Sequence, residues 1–155
     1  MKQFENNTVS IQLIKKSASA ESIKPVTQKN TSFKKVADEI KVYSEEDHLE
    51  KGSELSVELY EKFKRAILNL STNLNIHPTK LRISFRNDQK ILADIHILKN
   101  SLKLWVNLKK GNLDDPKKLT RDVSKIGHWG NGDYEIIIEN DHHLEYIMSL
   151  VKQAL

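Results

Sequence analysis

A chain of 155 residues with 38% hydrophobic and 30% charged residues has the length of about one domain, with a lean toward the polar. It has no cysteine, which excludes disulfide staples, thiolate zinc sites and cysteine nucleophiles. Its net charge of +4 lies wholly in the first quarter. Residues 1–41 hold eight lysines against four acids, whereas 42–155 balance 17 Lys and Arg against 17 Asp and Glu, so the basic balance argues only weakly for nucleic acid.

The first residues contain no apolar stretch of signal-peptide length. No window approaches the ~18 apolar residues of a membrane span. A soluble, cytoplasmic chain with no membrane partner is expected. Thr8-Val9-Ser10-Ile11-Gln12-Leu13 alternates polar and apolar, the period of a half-buried strand. Residues 15–35 are rich in Ser, Thr, Lys and Gln around Pro25 and bury too little to offset their ordering entropy, so they read as a linker. A strand before a linker has two readings: the end of a larger upstream domain, or an edge strand of the downstream sheet. Residues 1–41 are thus a basic lead-in, and 42–155 a compact domain.

Leu55, Leu59, Phe63, Ala66, Ile67, Leu70 and Leu74 recur at three- and four-residue steps, one face of a helix. Ser53 supplies an N-cap oxygen, and Pro78 lies beyond the end. Three strands follow. Leu81, Ile83 and Phe85 alternate with Arg82, Ser84 and Arg86. Ile91, Ala93, Ile95 and Ile97 alternate with Leu92, Asp94 and His96, and Leu102, Leu104, Val106 and Leu108 with Lys103, Trp105 and Asn107. Asn87-Asp88 and Lys99-Asn100 supply the turns of an antiparallel meander. Residues 111–124 read as a loop with a helical turn after Pro116. Tyr134, Ile136 and Ile138 mark a fourth strand, and Asn140 or Asp141 caps a last helix striped by Leu144, Ile147, Met148, Val151 and Leu155. The fold class expected is α+β, a two-layer sandwich of about four mainly antiparallel strands with two helices on one face.

The second sheet face then carries Arg82, Arg86, Asp94, His96, Lys103, Trp105, Asn107, Glu135 and Glu139. Trp105 among charges marks a contact surface, unless the 111–124 loop or the lead-in covers it. A second candidate is the string from Arg121 to Glu135, with three glycines in six residues. Those glycines permit positive φ and close backbone approach. Within the string His128 offers a hydrogen-bond donor or acceptor, Trp129 offers a stacking face and Arg121 grips a carboxylate or phosphate. Such a loop suits an anionic planar ligand; equally, His128 and Trp129 serve as a plug sealing the sheet. Gly-His-Trp-Gly is not a phosphate loop, because the Gly-x-x-x-x-Gly-Lys spacing and following helix are missing.

Other signals are weaker. His142 and His143 point about 100° apart on a helix and cannot chelate one metal together. Asp114-Asp115 and Glu45-Glu46-Asp47-His48 read first as solvated surface, the latter as a loose metal group at most. Ser84, Asp94 and His96 form a conceivable acid/base set that no spacing requires. No cofactor or metal is implied, and enzyme is the minority reading.

Taken together, Tyr43-Ser-Glu-Glu-Asp-His48-Leu49, a helix, a meander ending Leu104-Trp-Val-Asn-Leu108, Arg121-Asp-Val-Ser, and Gly127-His-Trp-Gly-Asn-Gly-Asp-Tyr-Glu135 before a closing helix resemble the bacterial domain-of-unknown-function family numbered 5655. The likeness covers about 42–155. It implies a C-terminal accessory domain of larger bacterial proteins, some of which begin with a nuclease-like domain, and residues 1–14 as the end of such a domain. It implies no catalytic residues. Some relatives bear a predicted-transport label, which a chain without a membrane segment does not support.

Three functions follow as expectations. The first is a non-enzymatic accessory module that assists a nuclease-like partner by contacting nucleic acid or protein through Arg82, His96, Trp105, Arg121, His128 and Trp129. The second is a small-molecule or nucleotide binder, with or without hydrolysis, centred on the Gly-His-Trp-Gly loop. The third is a dimerisation or scaffold domain acting as a homodimer.

Overall fold

Ser53 opens the principal helix as its side-chain chemistry requires: in extended backbone, its Oγ accepts the Ser56 N–H at 3.4 Å. A computed structural model describes residues 42–155; the expected Thr8–Leu13 strand and the 15–35 linker lie outside the described residues. In chain order the elements are α1 (Glu46–Leu49), α2 (Glu54–Leu68), β1 (Asn75–Pro78), β2 (Ile83–Arg86), β3 (Ile91–Ile97), β4 (Leu102–Val106), β5 (Arg121–Asp122), β6 (Tyr134–Ile138) and α3 (Leu144–Lys152).

The strands form one antiparallel sheet in the order β1-β2-β3-β4-β6-β5. Leu104 pairs with Ile95 on one side and Ile136 on the other, so the apolar residues of the central strands share a face. Against it pack Leu59, Phe63 and Ile67 of α2 and Ile147, Leu150 and Val151 of α3, all buried. Each such side chain, once fully buried, contributes roughly 1.5–3 kcal/mol relative to exposure. The α+β class and the antiparallel meander are as the alternation predicts.

Several details differ. The sheet has six strands rather than four, and a third, short helix precedes α2. β1 escapes the period because it is brief and ends in Pro78, which an edge strand tolerates. The helix stops at Leu68, short of Leu74, because Asn69, Ser71, Thr72 and Asn73 favour turns over helix. Leu55 and Leu81 are exposed instead of facing the core. The last helix has His143 at its cap, and Asn140 Oδ1 accepts the His142 N–H just upstream at 3.1 Å. No helix among the described residues is long and apolar enough to cross a membrane.

The second sheet face is where burial departs most from the alternation. Trp105, Asp94, Ser84 and Glu135 alternate with core residues, yet each is at most 3% exposed. Their cover is the segment between β5 and β6, residues 123–133, which folds back over the sheet.

Candidate ligand-binding site

A buried carboxylate needs partners, and Asp94 has three hydrogen-bond donors and one ion pair. Ser84 Oγ donates to its Oδ1 at 2.5 Å, and Arg82 Nε lies 3.3 Å from the same oxygen. Oδ2 accepts both the backbone N–H and the side-chain Nδ2–H of Asn131. Arg82 completes the clamp by donating from Nη1 to the Trp129 carbonyl at 2.6 Å and from Nη2 to Asn131 Oδ1 at 3.3 Å. Arg82 is therefore a fastener of the loop, its donors directed inward.

The glycines set how closely the loop lies. A Cβ on Gly130 would stand 2.2 Å from Cγ of Trp105, so the bare backbone rests on the indole face. A Cβ on Gly132 would stand 1.7 Å from the Val106 carbonyl oxygen. Close approach, not positive φ, is what these two positions require. Downstream, Asp133 Oδ2 accepts the Lys110 N–H and the Tyr134 hydroxyl accepts the Gly111 N–H, tying the 107–112 turn to the base of the loop. Asp122 accepts from Lys110 Nζ and the Ser124 N–H, which hold its carboxyl well below the usual range.

Under the loop a cavity of about 270 Å³ remains between it and strands β4 and β6. Trp105 forms one wall; Ile126, His128 and Trp129 come from the loop, and Lys103, Arg121 and Glu135 from the sheet. Glu135 is the buried member, its side chain 4% exposed: Arg121 Nη2 donates to Oε1 at 2.7 Å and Lys103 Nζ stands 3.8 Å from Oε2. The Arg121 side chain is 63% exposed, so the charge turned outward is positive. The indole N–H of Trp105 is buried and has no partner. A second cavity of about 310 Å³ shares Lys103, Arg121 and Glu135 and adds Leu119 and Ile137.

Trp129 forms the lip and is 49% exposed. Its ring meets His96 edge-on, centroids 4.8 Å apart. Nδ1–H of His96 donates to the Leu81 carbonyl at 2.7 Å, and burial holds the imidazole below its ordinary pKa, as do the nearby cations. His128 donates from Nδ1 to the Ile126 carbonyl at 2.8 Å, which rigidifies the bend.

Of the sequence candidates, Trp105, Arg121, His128 and Trp129 converge on one cavity, whereas Arg82 and His96 stand behind the loop and brace it. Trp105 is no exposed contact: the loop covers its face. Neither is the loop a complete plug, since Trp129 stays half in solvent. Lys103 and Glu135 complete the cavity, and cross-strand neighbours on one face were their available signal. Asn131 and the anchoring role of Asp94 had no local signal. The acidic string at 45–48 makes no metal group, because His48 is buried with Nε2–H donating to Thr79 O and Glu45 pairs with Lys64. Among the described residues no cluster of three or more His, Asp and Glu side chains is placed to hold a metal ion.

The family described as "Domain of unknown function (DUF5655)" matches residues 45–155. An uncharacterised protein of Haemophilus influenzae (strain ATCC 51907 / DSM 11121 / KW20 / Rd) is 50% identical over 153 residues, covering 99% of this chain and 50% of that protein. The chain thus spans about half the length of this curated relative. No solved structure matches.

Proposed function

The chain belongs to the DUF5655 family, and from that premise we propose that it is a binding domain without catalysis of its own, which takes a planar ring bearing negative charge into the cavity beneath the 123–133 loop. The observation that carries this reading is the indole N–H of Trp105: buried, unpaired and belonging to a residue that lines the cavity. An unsatisfied buried donor costs roughly 1–3 kcal/mol, and a ligand acceptor would relieve it. Trp129 and Ile126 offer flat apolar surface at the lip, and Arg121 with Lys103 offers the countercharge. A nucleotide has this combination of ring, acceptor and anion.

The conceivable acid/base set supports recognition over catalysis. Asp94 is occupied by three hydrogen-bond donors, Ser84 among them, and by the Arg82 ion pair, and the Nδ1–H of His96 is spent on Leu81. The greater length of the relative fits an accessory role inside a longer protein, the chemistry then belonging to another part. Titration with nucleoside 5′-monophosphates at low salt, followed by tryptophan fluorescence, tests the reading. Saturable quenching is expected. A flat response up to millimolar nucleotide would refute it.

A further inference from the structure

We infer that the ligand is a single strand of nucleic acid, gripped over two consecutive nucleotides; this rests on the cavity reading above and specifies its occupant. The two adjoining cavities have similar volumes, about 270 and 310 Å³, and common walls in Lys103, Arg121 and Glu135. They therefore form one trough with a polar divide at its middle. One end is aromatic, with Trp105 and Trp129; the other is apolar, with Leu119 and a 48% exposed Ile137. A ligand that fills both ends needs two flat or apolar units joined by a negatively charged linker. Two nucleotides joined by a phosphodiester have that order, whereas a mononucleotide fills one end and leaves its phosphate at the divide.

The divide accepts a phosphate despite its carboxylate. Both Glu135 oxygens face cations and its side chain is 4% exposed, against 63% for Arg121 and 32% for Lys103. What an entering phosphate meets is guanidinium and ammonium. The charge balance of 42–155, 17 against 17, offers no extended track for many phosphates, which suits a short grip rather than a long one. Bases stacked and paired in a duplex cannot turn into the trough, so the free strand is selected.

The test measures affinity of the 155-residue chain at low salt for thymidine 5′-monophosphate, the thymidine dinucleotide, a thymidine octamer and a duplex of the same length. Expected are at least tenfold tighter binding of the dinucleotide than of the monophosphate, an octamer no more than severalfold tighter again, and a duplex at least tenfold weaker than the octamer. The octamer's log affinity should fall with log salt at a slope near −0.7, about one phosphate contact. Replacing Ile137→Ala together with Leu119→Ala should reduce the dinucleotide to the level of the monophosphate while leaving the monophosphate unchanged. Equal binding of mono- and dinucleotide, or of strand and duplex, overturns the two-nucleotide grip but leaves the cavity reading standing. Absence of binding by every ligand removes both.

Discussion

Asp94 and Asn131 meet twice: Oδ2 of the buried carboxylate accepts the Asn131 backbone N–H at 2.7 Å and its side-chain Nδ2–H at 2.8 Å. Residues far apart in sequence are thereby joined at the point where the loop crosses the sheet. The contact fixes both the height of the loop and the shape of the space beneath it. Asp94 thus belongs to the architecture of the site without lining its cavity.

Loss of that carboxylate should be costly. Asp94→Ala leaves Arg82 and Asn131 without their shared acceptor and is expected to lower unfolding stability by ~3–5 kcal/mol, the scale for breaking a buried charge pair. Urea unfolding measures it. A loss below about 1 kcal/mol would show that the loop holds without this anchor.

The glycines should separate sharply. Gly130→Ala and Gly132→Ala drive a methyl into the Trp105 ring and the Val106 carbonyl, and each should cost ~1–3 kcal/mol or more. Gly127 has nothing within 4 Å of the added methyl, so Gly127→Ala should stay within about 0.5 kcal/mol of the parent. Thermal melts of the three variants decide it.

Stability should fall on mild acidification. Burial holds both His48 and His96 below the ordinary value of 6.5. The unfolded chain therefore binds protons that the folded chain refuses, and stability is lost as pH drops from 6.5 toward the folded values. The lowered Asp115 and Asp122 act only below their ordinary 3.8, so the window from pH 7.5 to 5 reports the imidazoles. Melting temperature across that window should decline, and His96→Gln should flatten the decline. A flat profile in the parent contradicts the assignment.

Arg121 should matter to both ligand and fold. Its side chain is 63% exposed, but its loss leaves the buried Glu135 carboxylate with Lys103 at 3.8 Å as its remaining cation, so Arg121→Ala is expected to lower stability by roughly 1–3 kcal/mol. Nucleotide affinity should fall at least tenfold. Unchanged affinity would place the anion elsewhere.

The core face was legible because it obeys a local rule: Ile83, Phe85, Ile95 and Leu104 alternate with polar neighbours, and alternation alone selects a side. The same rule misjudged the other face. Asp94 and Trp105 read as solvent-facing because their partners, Arg82, Asn131 and Gly130, come from other strands or from the loop, and no local period encodes such pairing. Helix α2 read too long because Leu70 and Leu74 keep the helical step within a turn-forming stretch. β5 is two residues long, below what a pattern can register. The Arg121-to-Glu135 string looked like a binding motif, yet its Gly130, Asn131, Gly132 and Asp133 lay or tie the loop against the sheet. The cavity arises from that fastening.

Two tryptophans give two indole N–H signals, and Trp129→Phe leaves Trp105 alone. Following that remaining ¹H–¹⁵N signal through a titration with the thymidine dinucleotide addresses the proposed hydrogen bond directly. A saturable downfield shift of the Trp105 indole proton is the predicted result. An indole signal that stays in place while nucleotide saturates, or a titration without any response, would contradict it.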